Sequence, residues 1–204
     1  IVMEYIPFGP GKTGSASALG QRLAQLHRYT ADKFGWHRDN TIGTTPQPNA
    51  QSRDWVAFLR EQRLGFQLEL AHSKGAGAGL ASKGRRLLAG LDFYFETYTP
   101  AASILHGDLW SGNYAFDSDS APIIFDPAVY FGDREFDLAM TELFGGFQPA
   151  FYAAYEQAWP LDPGYAQRKK LYQLYHILNH FNLFGGGYAG QAESMLDKLL
   201  VCLP

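Results

Sequence analysis

A polar cluster in the middle of the 204-residue chain has the residue types and the spacing of a chemical site. In the stretch LHGDLWSGNYAF, a glycine separates His106 from Asp108, and Asn113 stands five residues after Asp108. A buried strand has no use for a carboxylate and a carboxamide at this spacing. A site in which an Asp takes a hydroxyl proton and an Asn holds a metal ion beside a phosphate does have such a use. The spacing therefore favours phosphoryl-transfer chemistry.

A second carboxylate, Asp126, stands where a partner for Asn113 is expected. The runs NYAFD and PIIFD predict two strands joined by the turn SDSA, and Asp126 ends the second strand. This arrangement fits H-x-D-x-x-x-x-N followed by an Asp, the catalytic-loop pattern of protein-kinase-like phosphotransferases. His-x-Asp alone is common and more often marks a turn, but the full set across a hairpin is far rarer by chance. We therefore predict that Asp108 is the catalytic base and that Asn113 and Asp126 hold Mg²⁺.

Asp137, in the run DREFDLA, is a further candidate. It opens an apolar helix, and its carboxylate could accept backbone N–H bonds from the loop that carries Asp108. That role is structural rather than catalytic. An ordinary carboxylate at the start of a helix, stabilised by the helix dipole, is the alternative interpretation.

Other motif-like stretches do not indicate a site on their own chemistry. GPGKTGS lacks the first glycine of a phosphate loop, because Ile6 stands five residues before Gly11. GAGAG, at 75–79, fails the dinucleotide-binding spacing and is predicted to be a loop. HRDN, at 37–40, has no spaced partner and is typical of a turn.

The elements that must position these residues are mostly helical. IVMEYI predicts a strand at residues 1–6, and 35–49 is predicted to be a long ordered loop. Apolar residues at helical spacing predict a helix from about Ala16 and another capped by Ser52. Further helical stripes precede and follow the predicted hairpin, and the last ends at the glycines 185–187. The sequence thus predicts one mainly helical domain with a small β insertion in its middle.

Composition excludes several classes of function. The net charge is −3 and the pI about 6.1, so no basic field would attract nucleic acid or anionic lipid. Cys202 is the single cysteine, which excludes an internal disulfide and any Cys/His metal spacing. No membrane span and no signal peptide are apparent, so we expect a cytoplasmic protein. The start at IVMEYI, without an initiator Met, is typical of a fragment.

The stretch ILHGDLWSGN, residues 104–113, resembles the fructosamine kinase family, also called ketosamine-3-kinases. Trp110 and the run LFGGF distinguish this family from the related aminoglycoside and choline kinases. Other segments resemble the same family, so the likeness extends over nearly the whole chain. These segments are FGWHRDNTIGTTPQPN (34–49), DWVAFLREQRLGFQLELA (54–71), FDPAVYFGDREFDLAMTELFGGF (125–147), FYAAYEQAWPL (151–161) and RKKLYQLYHILNHFNLFGGGY (168–188).

The resemblance implies a fold of the α+β class: the predominantly helical C-terminal lobe of a protein-kinase-like, aminoglycoside phosphotransferase-like kinase. A small β hairpin would carry the catalytic loop. The implied reaction is ATP-dependent phosphorylation of a sugar hydroxyl on a fructosamine or ribulosamine, leading to deglycation of an amine or a protein. The implied cofactors are ATP and Mg²⁺.

The resemblance also assigns residues. It places the family's catalytic base at Asp108 and its metal ligands at Asn113 and Asp126. It makes residues 1–10 a hinge strand at the junction with an N-terminal lobe and 11–204 the C-terminal lobe. Adenine would bind the hinge at Met3, Glu4, Tyr5 and Ile6, and the acceptor would contact Asp39, Asn40 and Trp110.

A kinase of this type needs a glycine-rich loop, a strand Lys and a helix Glu before the hinge, and the chain contains no substitute for them. The chain alone is therefore predicted to be inactive. Two alternatives stay open: an aminoglycoside- or choline-type small-molecule kinase, and a non-catalytic binding fragment. The sequence does not fix the oligomeric state, the sugar, or whether the acceptor is free or protein-bound.

Overall fold

A computed structural model describes residues 4–204, so Met3 lies outside the described part of the chain. Helices account for about half of these residues, as the sequence predicts. The helices are α1 (Ser15–His27), α2 (Trp55–Phe58), α3 (Phe66–Ser73), α4 (Ala78–Ala89), α5 (Glu135–Thr141), α6 (Pro149–Ala158), α7 (Tyr165–Phe184) and α8 (Tyr188–Leu200). A π-helical segment, Leu59–Gly65, joins α2 to α3, and a short 3₁₀ helix spans Leu91–Phe95.

Short antiparallel strands form three small sheets, with the orders β1-β6-β7, β2-β5-β8 and β3-β4. The strands are β1 (Phe8–Gly9), β2 (Thr30–Ala31), β3 (Asn40–Ile42), β4 (Thr45–Gln47), β5 (Ala102–Leu105), β6 (Tyr114–Asp117), β7 (Pro122–Ile124) and β8 (Tyr130–Gly132). The predicted hairpin is confirmed as β6–β7, with Tyr114 opposite Ile124. The loop between β5 and β6 therefore carries the polar cluster.

Two hydrophobic clusters hold the helices together. The larger one surrounds α7, whose Leu171, Leu174 and Leu178 are fully buried along one face. The smaller one packs α1 against α6 and the hairpin, through Leu23 and Phe151 among others. Burial of an aliphatic or aromatic side chain contributes about 1.5–3 kcal/mol, so these clusters supply most of the driving force.

The structure corrects several predicted elements. The strand predicted over 1–6 is absent from its described part, 4–6, and a two-residue strand at Phe8–Gly9 pairs with β6 instead. The predicted loop 35–49 contains the hairpin β3–β4. The helix N-cap is Asp54, which accepts the N–H of Ala57, rather than Ser52. The β structure is also not confined to the middle of the chain, because β1 and β2 pair with strands more than sixty residues later.

Candidate active site

The loop between β5 and β6 folds back on itself because of a glycine. Gly107 has φ +83°, and a Cβ at this position would lie 2.2 Å from the backbone oxygen of Ala128. Residues that carry a side chain rarely adopt this φ, and a Cβ so close to the Ala128 oxygen would clash with it. Glycine thus lets the Asp108 loop lie directly against the segment that follows Asp126.

Asp137 anchors this loop from α5, as one of the two sequence interpretations predicts. Its fully buried carboxylate accepts the backbone N–H groups of His106 and Gly107, both at 2.8 Å. The ring of His27 on α1 lies 3.1 Å from the same carboxylate. Burial raises the pKa of Asp137, but the His27 hydrogen bond and the backbone donors outweigh it and hold the pKa below its usual value. A buried, ionised carboxylate therefore fixes the loop that carries Asp108.

His106 links the loop to the Asp126 segment. Its Nε2 lies 2.8 Å from the carbonyl oxygen of Phe125, an acceptor, so Nε2 carries the proton. Nδ1 then accepts the backbone N–H of Asp108 at 3.3 Å. The buried imidazole thus holds Asp108 and the residue before Asp126 in one arrangement.

Asp108 has the character of a base. Its carboxyl is half-buried, and burial raises its pKa to about 6, with further contributions from the negative charges of Asp126 and Asp137. A base with a pKa close to the working pH is well matched to proton transfer.

Asn113 and Asp126 offer oxygen ligands beside Asp108. Nδ2 of the buried Asn113 donates to the backbone oxygen of Asp108 at 2.9 Å, which leaves Oδ1 as its free polar atom. Asp126 is exposed and has φ +56°, a left-handed value that Asp adopts more readily than most residues. Oxygen donors of this kind suit Mg²⁺, which usually takes one or two carboxylates together with water and phosphate. Within residues 4–204 no group of three or more His, Cys, Asp or Glu side chains is placed to hold a metal.

A cavity of about 480 Å³ opens beside these residues. Asp108, Trp110, Asn113 and Asp126 all line it, so the structure brings four of the predicted site residues together. The opposite wall comes from the β3–β4 turn and from helices α5, α7 and α8. Its residues are Ile42, Gly43, Met140, Phe144, Asn179, His180, Leu183, Phe184 and Tyr188.

The remaining predicted residues lie elsewhere. Asp39 accepts the backbone N–H of Asn49, and the amide of Asn40 bonds Val129, Gln47 and Asn49. Neither lines the cavity: Asp39 bonds within the segment that contains the β3–β4 hairpin, and Asn40 also ties that hairpin to Val129, after Asp126. Ile42 and Gly43 line the cavity instead. Glu4, Tyr5 and Ile6 are exposed and without regular secondary structure, so their adenine contact stays a prediction.

Sequence reasoning missed the α7 side of the cavity. The apolar stripe of α7 was interpreted as core, and it is core. The signal that was available is a row of polar residues on the same helix, His176, Asn179 and Asn182, all of which are buried. Buried polar side chains three residues apart on a helix need partners, and so point to a network or a site.

The sequence matches the fructosamine kinase family over residues 1–202. The chain belongs to this family. A Synechocystis protein named "Probable ketoamine kinase" is 50% identical, over 98% of this chain and 67% of the relative. The "Protein-ribulosamine 3-kinase, chloroplastic" of Arabidopsis thaliana is 45% identical, over 98% of this chain and 61% of the relative. The chain therefore spans about two thirds of the length of the relatives it matches.

Solved structures agree with this assignment. A candidate fructosamine-3-kinase from Thermobifida fusca superposes with a TM-score of 0.91 at 33% identity, over 98% of this chain and 69% of that one. An aminoglycoside phosphotransferase gives a TM-score of 0.54 at 17% identity, over 93% of this chain and 66% of that one, which shows a shared fold alone. The predicted protein-kinase-like fold is confirmed, and so is the prediction of a ketosamine phosphotransferase that uses ATP.

Some predictions are not settled by these matches. Nothing in them supports the predicted inactivity of the chain alone, which stays a prediction. Within residues 4–204, no helix has both the length and the apolar character needed to cross a bilayer. Because the relatives include a chloroplastic protein, the cytoplasmic location also stays a prediction.

Proposed function

We propose that Asp108 is the catalytic base of this kinase, acting on a sugar hydroxyl of a ketosamine bound in the cavity. The observation that carries the proposal is the position of Asp108. It lines the cavity together with Trp110 and Asn113, and its pKa is raised to about 6 by burial and by its acidic neighbours. An ionised Asp108 would orient the hydroxyl and accept its proton as the bond to phosphorus forms.

Asn113 and Asp126 are the residues that would hold Mg²⁺. Both line the cavity, and each has an oxygen free to coordinate. Besides burial, the negative charge of Asp126 raises the pKa of Asp108, because the two carboxylates lie close together. A bound Mg²⁺ would supply neutralisation of that charge and of the nucleotide phosphates.

The wall formed by α7 and α8 would hold the acceptor. The cavity is aromatic-rich: Phe144, Phe184 and Tyr188 pack around His180, and Trp110 also lines the cavity. A few polar groups on an apolar wall are typical of a small-molecule site. The acceptor class proposed here is a fructosamine or ribulosamine, either free or on a protein.

Residues 1–10 are proposed to be the nucleotide hinge, and 11–204 the C-terminal lobe. In support of this, β1 pairs with β6, the strand that directly follows Asn113. Phe8 also stacks on Phe125, with ring centroids 5.5 Å apart, next to Asp126. Phe8 and Gly9 thus lie beside the hairpin that carries the proposed metal ligands.

The test is ADP release by the full-length gene product with Mg-ATP and fructosyl-lysine. Asp108→Asn should lower kcat by at least about a thousandfold and change the acceptor KM little, because the lost interaction matures in the transition state. Asp119→Asn is the matched control, since Asp119 is exposed in the hairpin turn. An equal fall in acceptor binding would contradict the assignment of Asp108. Turnover of an aminoglycoside or choline, but not of a ketosamine, would show that the proposed acceptor class is wrong.

A further inference from the structure

A chain of three buried amides connects α3 to the cavity. Asn182 on α7 donates through Nδ2 to Gln67 on α3, both to its backbone oxygen at 3.0 Å and to its side-chain Oε1 at 2.7 Å. Gln67 in turn donates through Nε2 to Oδ1 of Asn179 at 3.3 Å. The three side chains are buried, and of the three only Asn179 lines the cavity.

A backbone atom fixes which group donates and which accepts in each hydrogen bond of this series of amides. The carbonyl oxygen of Gln67 can only accept, so Asn182 must turn its NH₂ toward it. The atom of Gln67 that receives the same NH₂ must then be its oxygen, which puts its own NH₂ toward Asn179. Asn179 must therefore present its oxygen to Gln67. An amide flip at any position would set two donors or two acceptors against each other.

Nδ2 is consequently the polar atom that Asn179 keeps for the cavity. It has no hydrogen-bond partner within residues 4–204, and it is not one of their fully buried unpaired atoms, so it is open to the cavity although Asn179 as a whole is only 3% exposed. A ligand that displaces water from this donor without accepting its hydrogen bond would incur a cost of about 1–3 kcal/mol, whereas a ligand oxygen would avoid that cost. The Nδ2 donor of Asn179 would therefore favour ligands that place an oxygen within hydrogen-bond distance of it.

We propose that Asn179 is a specificity-determining residue that donates a hydrogen bond to a sugar oxygen of the acceptor, and that Gln67 is the positioning residue that sets its polarity. The inference rests on the proposed function, because it takes the cavity to be the acceptor site. Gln67 does not line the cavity, so it acts only through Asn179.

Two nearly isosteric substitutions test this polarity by different routes. In Gln67→Glu, the ionised carboxylate can still accept from Asn182 but cannot donate to Asn179. Asn179 must then flip, which turns its oxygen to the cavity. In Asn179→Asp the bond from Gln67 persists, and a carboxylate oxygen replaces the NH₂ in the cavity. Both changes convert a donor into an acceptor at the same point.

The matched control is Gln173→Glu. Gln173 is on α7, as Asn179 is, and its amide donates to the backbone carbonyl of Ala139, but it does not line the cavity. It reports the general effect of an amide-to-acid change in this helix. Circular dichroism and thermal melting of each variant establish that it is folded.

The measurements use the full-length gene product with Mg-ATP and fructosyl-lysine. We expect both Gln67→Glu and Asn179→Asp to raise the acceptor KM about 5- to 20-fold, with the ATP KM within about twofold of wild type. Acceptor binding without ATP, measured by isothermal titration calorimetry, should weaken by the same factor. A general structural defect would instead change both KM values and would also appear in the control.

The outcomes separate the two proposals. No turnover of any ketosamine by the wild type would overturn the proposed function and this inference with it. Wild-type turnover with an unchanged acceptor KM in both variants would overturn the inference alone. An effect of Asn179→Asp without one in Gln67→Glu would overturn the positioning role of Gln67. If Gln67→Glu does not fold, Asn179→Asp decides, and an unchanged acceptor KM in it refutes the inference.

Discussion

Replacing Asp137 by Asn should loosen the catalytic loop by an amount that can be worked from its hydrogen bonds. Oδ1 of the carboxylate accepts the N–H of Gly107, and Oδ2 accepts the N–H of His106 and the ring of His27. An amide at this place keeps one oxygen and turns its NH₂ toward a backbone N–H. The change loses one charge-assisted bond, worth about 1.5–3 kcal/mol, and leaves a buried N–H unpaired, at about 1–3 kcal/mol.

We therefore expect Asp137→Asn to lower the free energy of unfolding by about 3–5 kcal/mol, measured by equilibrium urea unfolding at neutral pH. Asp39→Asn is the matched control. Asp39 is exposed and accepts one backbone N–H, which an amide oxygen can still accept, so its cost should stay below about 1 kcal/mol. A similar small cost for both variants would refute the anchoring role of Asp137.

The pH dependence of the free energy of unfolding provides a second test of Asp137→Asn. The pKa of Asp137 is lower in the folded protein than its usual value. Its contribution to stability is therefore complete above its unfolded pKa and is lost as the pH falls through the lower, folded pKa. The difference in stability between the wild type and Asp137→Asn should narrow in acid. A difference that grows as the pH falls would contradict the lowered pKa.

Three further predictions concern the site. Because burial and acidic neighbours raise the pKa of Asp108 to about 6, kcat/KM should fall as the pH is lowered through about 6, where the base becomes protonated; a flat profile down to about pH 5 would contradict this. Asp126→Asn should raise the Mg²⁺ concentration for half-maximal rate at least about tenfold, measured by titration at saturating ATP, whereas an unchanged value would remove Asp126 from the metal site. Gly107→Ala should cost about 3 kcal/mol of unfolding free energy, since a Cβ would lie 2.2 Å from the Ala128 oxygen. Gly14→Ala, with a similar positive φ but open space around it, should cost only about 1 kcal/mol, and equal costs would show that the contact with Ala128 is unimportant.

The α7 wall shows where prediction from sequence stopped. The periodic leucines of α7 predict a buried helix, and the helix is buried. The same periodicity cannot distinguish a helix buried all round from one that contributes a face to a cavity. Asn179 and His180 interrupt the apolar pattern, but they contact other parts of the fold: Gln67 on α3 for Asn179, and Phe144 after α5 and Tyr188 on α8 for His180.

The short strands were missed for a related reason. A strand of two or three residues has no measurable alternation, so β2 and β8 leave no pattern in the sequence. Both exist because they pair with β5, which lies more than seventy residues from β2 along the chain. Tertiary pairing, and not local preference, decides such elements.

The sequence by itself determined which residues are the candidates for the chemistry of the site. Asp108, Asn113 and Asp126 are identified by residue type and spacing because a short loop and a hairpin bring them together locally, and the long helices follow from their apolar periodicity. The tertiary structure alone decided which surface faces them. Burial raised the pKa of Asp108, and a backbone carbonyl on α3 decided that Asn179 presents its NH₂ to the cavity. Asp39 and Asn40 hydrogen-bond to neighbouring residues and do not line the cavity. Burial and hydrogen-bond direction depend on groups distant in the chain, and those groups meet only in the folded protein.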